Sequence, residues 1–436
     1  MLNALKGLIG QRSPIRLEWH RAKALVAAAR YGFPARKLKI IGVTGTDGKT
    51  TTIGMTAHIL HEAGVQVGAL STAFFQVRNT IEWNATQKTL PSPFLIQKFL
   101  RRLVTEKCTH AVLEYSSHGL VQGRGIFTWP VVTAITNTSA EHLDYHGTME
   151  QYRKDKRILF EMLGGKGTKV LNMDDETFAL YLPVKSAKTI GYSVEGQRES
   201  RVKGLSKELF VTAIRASTAG TAATLHQIEE VVSDTMPITL AIPGEFNMEN
   251  ALAALSIAKA CGLDMQKATT ALASFPGVPG RMERIPGNKP YSVFVDFTVT
   301  PVSYQKTLSS LKALLAPNAR LLVLTGSCGE RMKEKRPFIG RVCSELADLV
   351  VVTNEDPYNE DPQAIIDEVW AGIDQAQTEA HKISDRLEAI KFLLSQAREH
   401  DVVIFCGKGS DTTMWTKDGQ IPWNERQIVK DLLAAA

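Results

Sequence analysis

Short apolar runs recur along this chain. Each is followed by a turn-forming cluster and then by apolar residues at helical spacing. Leu38–Val43, Ala111–Tyr115, Val131–Asn137 and Thr168–Asn172 predict strands. Near-continuous apolar runs of that length suit strands covered on both faces. Thr51–Ala63, Ser92–Thr105 and Met149–Leu163 predict helices between them. The alternation implies an α/β fold, a parallel sheet with helices on both sides. Residues 205–240 break the rhythm. Phe210–Ile214, Thr221–Leu225 and Ile238–Ile242 predict strands with no helix between them, hence a small antiparallel patch. Asn247–Cys261 predicts a helix stopped by Gly262.

The stretch Phe275-Pro-Gly-Val-Pro-Gly-Arg-Met-Glu is rich in turn formers and predicts a linker. Beyond it Ser292–Phe297, Leu321–Thr325, Leu349–Thr353 and Val402–Cys406 predict a second series of strands separated by helices. This is the pattern of a doubly wound, Rossmann-like domain. The expected division is a short helical segment over residues 1–37, a central domain over 38–281 and a C-terminal domain over 282–436.

A length of 436 residues suits two or three domains, and 44% hydrophobic with 22% charged residues suits globular domains with sizeable cores. The net charge of +6 is modest. It fits an anionic small molecule better than a nucleic acid, for which a basic run or basic–aromatic interleaving would be expected. Cys108, Cys261, Cys328, Cys343 and Cys406 form no C-x-x-C pair, which argues against a zinc ribbon and for a reducing, cytoplasmic compartment. The longest apolar stretch near the N-terminus, Ala24–Ala29, is too short to span a bilayer. Ile15–Tyr31 instead predicts a basic amphipathic helix packed on its own protein, in preference to one lying on a membrane surface.

The chemistry concentrates after the first strand. Gly45-Thr46-Asp47-Gly48-Lys49-Thr50-Thr51 joins a strand to a helix through a glycine-rich turn. Such a turn lets backbone N–H groups approach phosphate oxygens, and the helix N-terminus adds a positive dipole end. Lys49 would reach the outer phosphates and Thr50 a Mg²⁺ ion. Val43 stands where a strict Walker A pattern has glycine, so the loop is atypical. Glu114 ends the next predicted strand, where an acid can complete a Mg²⁺ shell begun by Thr50. His142 follows a further strand in a polar segment and is a site candidate. Lys156 reads on its own as one more lysine of a basic helix.

Several segments together resemble the Mur ligase family, in its MurE-type form. These are Thr44–Thr52, Glu114-Tyr-Ser-Ser-His-Gly-Leu-Val-Gln-Gly-Arg, Asn137-Thr-Ser-Ala-Glu-His-Leu-Asp-Tyr-His-Gly, Tyr152-Arg-Lys-Asp-Lys-Arg, Gly244-Glu-Phe-Asn-Met-Glu-Asn, Pro279-Gly-Arg-Met-Glu and Gly407-Lys-Gly-Ser. They follow in family order over about residues 38–436. The resemblance implies an ATP-dependent ligase of peptidoglycan precursor synthesis that joins an amino acid to a muramyl-peptide-like acceptor through an acyl phosphate. It implies two Mg²⁺ ions, one held by Thr50 and Glu114, the other by His142 and a carbamylated Lys156. Asn250 would contact adenine, with Arg281 and Asp296 completing the nucleotide site. Thr89, Ser116, Gln122 and Arg124 would hold the acceptor, and Arg331, Asp356, Tyr358, Gly407 and Asp411 the incoming amino acid. A monomer is expected, with small-molecule partners and no transmembrane segment.

Three departures bear on substrate. Residues 1–37 are too few for the uridine-binding domain of the MurE type, so a nucleotide on the acceptor is expected to add little. An Asn-Thr-Thr-Pro acceptor motif reads Lys88-Thr89-Leu90-Pro91. An Asp-Asn-Pro-Arg motif, whose arginine clasps diaminopimelate, reads Glu355-Asp356-Pro357-Tyr358. With that arginine gone and Asp356 and Asp411 both acidic, lysine or ornithine is expected over diaminopimelate, unless Arg331 or Arg336 supplies a replacement clamp. The alternatives are a family ligase acting on a lipid-linked muramyl peptide, a polyglutamate or a folate, and a nucleotide-binding scaffold without ligase activity. Lys49→Ala removes the only side-chain cation of the phosphate loop. The expected outcome is loss of ATP turnover with an unchanged circular dichroism spectrum; ligation at the wild-type rate would refute the phosphate-cradle assignment.

Overall fold

The computed structural model describes residues 12–86, 88–195, 202–229 and 232–435. The chain divides into two compact units. One comprises Met1–Arg215, Thr221–Ala241 and Asn247–Phe275; the other comprises Ala216–Gly220, Ile242–Phe246 and Pro276–Ala436. The described part of the N-terminal segment, from residue 12, falls in the first unit.

The first unit is built on one eleven-stranded sheet. Its strands are β1 (Lys39–Thr44), β2 (Val67–Leu70), β3 (Phe74–Val77), β4 (Thr80–Trp83), β5 (His110–Glu114), β6 (Val132–Ile135), β7 (Thr168–Asn172), β8 (Lys188–Ser193), β9 (Lys207–Ser217), β10 (Gly220–Ile228) and β11 (Val232–Leu240). The order is β11-β10-β9-β8-β7-β6-β1-β5-β2-β3-β4. Strands β9-β8-β7-β6-β1-β5-β2 pair in parallel. β1, β5, β6 and β7 are buried almost throughout, as their unbroken apolar runs require. Ile40, Leu113, Tyr115, Leu159, Phe160 and Leu171 belong to one core cluster, where helices cover the sheet.

Two features differ from the sequence expectation. β10 and β11 are antiparallel, but they extend the main sheet through β9 and form no separate patch. The other edge carries an antiparallel meander, β2-β3-β4, that hydrophobic patterning missed. Its outermost strand is exposed at every position, so it carries no buried alternation to read.

The second unit holds a six-stranded sheet of β12 (Glu283–Arg284), β13 (Ser292–Asp296), β14 (Leu321–Thr325), β15 (Leu349–Val352), β16 (Glu379–Lys382) and β17 (Val402–Cys406). The order is β12-β13-β17-β14-β15-β16, parallel apart from β12. Separate apolar clusters include Tyr304, Leu308 and Ile339 in one case and Ile390, Leu393 and Val429 in the other. This is the doubly wound arrangement that the second series of apolar runs predicted.

Candidate functional site

Parallel pairing sets β1 beside β5 and β6, with Val43 opposite both Glu114 and Ala134. The carboxyl ends of the three strands therefore lie side by side, where open parallel sheets hold ligands. Gly45–Gly48 leaves the end of β1 and leads into the helix Lys49–Glu62. Gly48 has a positive φ of 78°, and a Cβ there would come within 2.0 Å of Asn250 Oδ1. Only glycine fits both constraints.

Neighbouring strand ends pin this loop. Thr46 N donates to Asn137 O at 2.8 Å and Asp47 N to Asn137 Oδ1 at 3.0 Å. Thr136 Oγ1 donates to Asp47 O at 2.6 Å. Thr46 Oγ1 lies 3.0 Å from Tyr152 Oη. Lys49 Nζ donates to Thr46 O at 2.6 Å.

Glu114 is 1% exposed. Thr50 Oγ1 donates to its Oε2 at 3.0 Å, and Thr72 holds both oxygens, through its N–H at 2.8 Å and its hydroxyl at 2.9 Å. A hydroxyl and a carboxylate at the foot of a phosphate loop form an oxygen donor set suited to Mg²⁺, which keeps water and phosphate as its other ligands. Among the described residues no group of three or more His, Cys, Asp or Glu could hold a metal by itself.

Lys156 is brought in from the helix Met149–Glu161. It is 1% exposed, donates to Gly45 O at 2.6 Å and sits 4.3 Å from the centre of the Tyr152 ring. Burial, assisted by repulsion from Lys49, drives its pKa well below that of an ordinary lysine. Glu141 acts on it electrostatically, and Glu141 Oε1 is 3.7 Å from His142 Nε2. His142 begins a one-turn helix in the left-handed conformation, with its ring 4.7 Å from that of His118. Burial pushes the His118 pKa down to about 3. The neighbouring Asp155 is bonded to His146 at 2.5 Å and to Arg12 at 2.6 and 2.9 Å. These contacts hold its carboxylate at about 2 against the opposing effect of burial.

The acceptor candidates form one connected group. Thr72 Oγ1, whose proton goes to Glu114, lies 2.9 Å from the Thr89 hydroxyl. Arg124 donates to Leu90 O at 2.7 Å and to Gln122 Oε1 at 2.9 and 2.7 Å. Ser116 caps the short helix after β5 by accepting from Gly119 N at 3.2 Å. Asn250, expected at adenine, borders Gly48 of the phosphate loop, accepts from Thr52 Oγ1 at 3.5 Å and donates to Asn247 Oδ1 at 3.2 Å.

In the second unit Asp296 ends β13 and accepts from Met282 N at 2.6 Å and from the Thr298 hydroxyl. The Arg281 guanidinium lies over the Phe297 ring at 4.4 Å. Gly407 follows β17, and a Cβ on it would reach Glu355 Oε2 at 2.3 Å. The buried Arg386 binds Glu425 at 2.5 and 2.9 Å together with the carbonyls of Asn354 and Cys406. It thereby fixes the ends of β15 and β17.

The amino-acid candidates differ from expectation in charge. Asp356 and Asp411 are not two uncompensated carboxylates. Buried Lys408 reaches both Asp356 oxygens, at 2.8 and 2.9 Å, and Asp411 Oδ2 at 3.3 Å, while Trp415 N donates to Asp356 at 2.8 Å. The cation expected from a substrate is supplied by the chain. Tyr358 stacks on Trp415 with ring centres 5.6 Å apart, and Cys328 and Tyr358 act electrostatically on Arg331. Arg336 is committed elsewhere, to Glu360, Glu368 and the Cys328 carbonyl, which leaves Arg331 as the candidate clamp.

Sequence reasoning missed Thr72, which falls in the unrecognised turn before β3. It also missed Lys408 as the charge partner of Asp356, a pairing across 52 residues with no local signature.

Two family profiles match the chain: Mur ligase middle domain over residues 43–258, and Mur ligase, glutamate ligase domain, over residues 280–409. A UDP-N-acetylmuramyl-tripeptide synthetase of Roseiflexus sp. (strain RS-1) is 34% identical over 432 residues, covering 95% of this chain and 82% of that protein. A UDP-N-acetylmuramoyl-L-alanyl-D-glutamate–2,6-diaminopimelate ligase of Bacillus velezensis is 34% identical over 398 residues, covering 90% and 77%. A solved structure of a ligase with that same description superposes with a TM-score of 0.62 at 29% identity, covering 91% of this chain and 78% of that one.

Burial pushes Glu355 up to about 7. Its unfolded value is about 4.3, so the folded state holds its proton more tightly. The stability this contributes is complete below about pH 4.3 and is lost as pH rises through about 7, a change of about 4 kcal/mol. In urea denaturation, wild type should lose stability relative to Glu355→Gln between pH 5 and pH 8. A pH-independent difference would contradict the assignment.

Proposed function

The chain belongs to the Mur ligase family, and from that premise we propose that it is an ATP-dependent ligase adding an amino acid to a muramyl-peptide-like acceptor in peptidoglycan precursor synthesis. The observation that carries the reading is the 3.0 Å hydrogen bond from Thr50 to the buried Glu114 at the foot of the phosphate loop. We further propose that it acts as a cytoplasmic monomer. The five unpaired thiols support a reducing compartment.

In this reading the loop amides and Lys49 hold the triphosphate. Lys49 exchanges its bond with Thr46 O for phosphate oxygens. Thr50 and Glu114 hold the first Mg²⁺. His142 and Lys156 hold the second, provided that Lys156 is carbamylated, since an ammonium cannot ligate a cation. Its depressed pKa supports that step: the neutral amine adds to carbon dioxide and releases one proton, giving an oxygen donor. When bound, the metal ions neutralise charge that builds on the transferring phosphoryl group. Thr89, Ser116, Gln122 and Arg124 orient the acceptor so that its carboxylate oxygen attacks the γ-phosphorus and ADP leaves. The amine of the amino acid then attacks the acyl carbon, expels phosphate and gives up a proton. Asn250 completes the nucleotide site of the first unit, and Arg281 and Asp296 are nucleotide-contact candidates of the second.

The charge balance favours an amino acid with a distal carboxylate. Lys408 already satisfies Asp356 and Asp411, and lysine and diaminopimelate both carry a distal ammonium, so the two differ here in the distal carboxylate alone. Arg331 beside Tyr358 can bind a carboxylate. We therefore propose diaminopimelate over lysine, the reverse of the expectation drawn from the sequence alone. Both substrates at equal concentration should give mainly the diaminopimelate product, with the preference reduced at least tenfold in Arg331→Met. Clear selection of lysine would exclude the clamp. For the metal site, intact-protein mass spectrometry under bicarbonate should detect one added carbon dioxide that is lost in Lys156→Ala. That variant should lose most ligation and regain part with added short carboxylates. An unmodified, fully active Lys156 would rule the carbamate out.

A further inference from the structure

The helix Pro14–Arg30 carries apolar residues on two faces. Its inner face is small: Ala24, Ala27 and Ala28 are buried, and the helix packs on the helix Pro93–Thr105. Its outer face is large and open. Ile15 is 75% exposed, Trp19 60%, Val26 57% and Leu25 48%. At 100° per residue, Ile15, Trp19, Ala22, Val26 and Ala29 fall within an arc of about 80°, and Leu25 borders it.

Arg16, Lys23 and Arg30 follow one margin of this stripe, and on the other Glu18 stands at the edge with Arg21 beyond it. Glu18 is the only acid in the helix, and Arg21 bonds to it at 2.6 Å. The Lys23 ammonium lies 4.9 Å from the Trp19 ring centre. Just past the C-terminal end of the helix, Trp129 is 38% exposed beneath the Arg36 guanidinium, 5.1 Å from its ring centre. Apolar anchors that include tryptophan, bordered by cations, suit a helix lying in the plane of a lipid–water interface. The apolar groups enter the acyl boundary while the cations meet lipid phosphates. Among the described residues no helix is long and apolar enough to cross a membrane, so contact would be in-plane.

We propose that the outer face of Pro14–Arg30 is a docking surface for an anionic membrane. A second copy of the chain is a poorer occupant. Self-pairing would set four cations against four with a single acid on each side, which charge opposes. An anionic lipid surface complements the same rim. Docking also has a geometric consequence. Arg21 packs against Gly123, where a Cβ would lie 3.3 Å from its Cγ, and Gly123 stands between Gln122 and Arg124. A docked helix holds that loop close to the lipid headgroups. The docking inference itself does not depend on the ligase reading.

The test is co-sedimentation of the full chain with phosphatidylcholine vesicles that contain or lack phosphatidylglycerol. Binding to the anionic vesicles is expected, weakening as salt rises. Trp19→Glu with Val26→Glu, and separately Lys23→Glu with Arg30→Glu, should each lower vesicle affinity by about tenfold or more. Circular dichroism and ATP turnover in solution should not change. Wild-type protein that ignores anionic vesicles overturns the proposal, as does unaltered binding in both double variants. So does a wild-type dimer that Trp19→Glu with Val26→Glu dissociates while no vesicle binding is seen.

Discussion

The parallel register of β1 between β5 and β6 is the constraint on which the site depends. It brings Val43 level with Glu114, and one turn later the chain returns Thr50 to within a hydrogen bond of that carboxylate. The register is strongly specified because all three strands are buried on both faces. A slip of one residue would exchange apolar groups between the two helix layers and move Glu114 away from Thr50. The loop is then fixed from the β6 side by Thr136 and Asn137. A buried carboxylate is costly alone. Here three hydrogen bonds from Thr50 and Thr72 offset that cost and hold it ready for a cation.

Lysines organise the candidate residues of each unit as much as acids do: Lys156 and Lys408 are buried and Lys49 is part-buried. Lys49 and Lys156 both donate to carbonyls of the phosphate loop, and Lys49 disfavours charge on Lys156. Lys408 plays a different part, satisfying two carboxylates that would otherwise repel. Removing one member of such a buried arrangement leaves its partner uncompensated, which is far costlier than losing a surface pair.

Much of the fold was legible in the sequence because buried parallel strands write themselves as continuous apolar runs. β7, β14 and β17 were bounded to the residue, and β1 and β5 within one. The meander β2-β3-β4 was not, since its strands are four residues long and its outer strand is solvent-exposed. The phosphate loop and Glu114 could be read from local chemistry, and the family resemblance added Lys156, which local chemistry alone did not select. What escaped was charge pairing over distance. Asp356 and Asp411 read as a cation-binding pair until Lys408 is seen between them, and Thr72 as an anonymous turn residue until its two bonds to Glu114 are seen.

The central claim is that Glu114 and Thr50 hold a metal ion against the nucleotide. It is tested most directly by measuring nucleotide affinity with and without Mg²⁺ for wild type and Glu114→Gln. The account predicts that Mg²⁺ tightens nucleotide binding in wild type and that Glu114→Gln loses most of that gain while its metal-free affinity is retained. An equal response to Mg²⁺ in both proteins would contradict it.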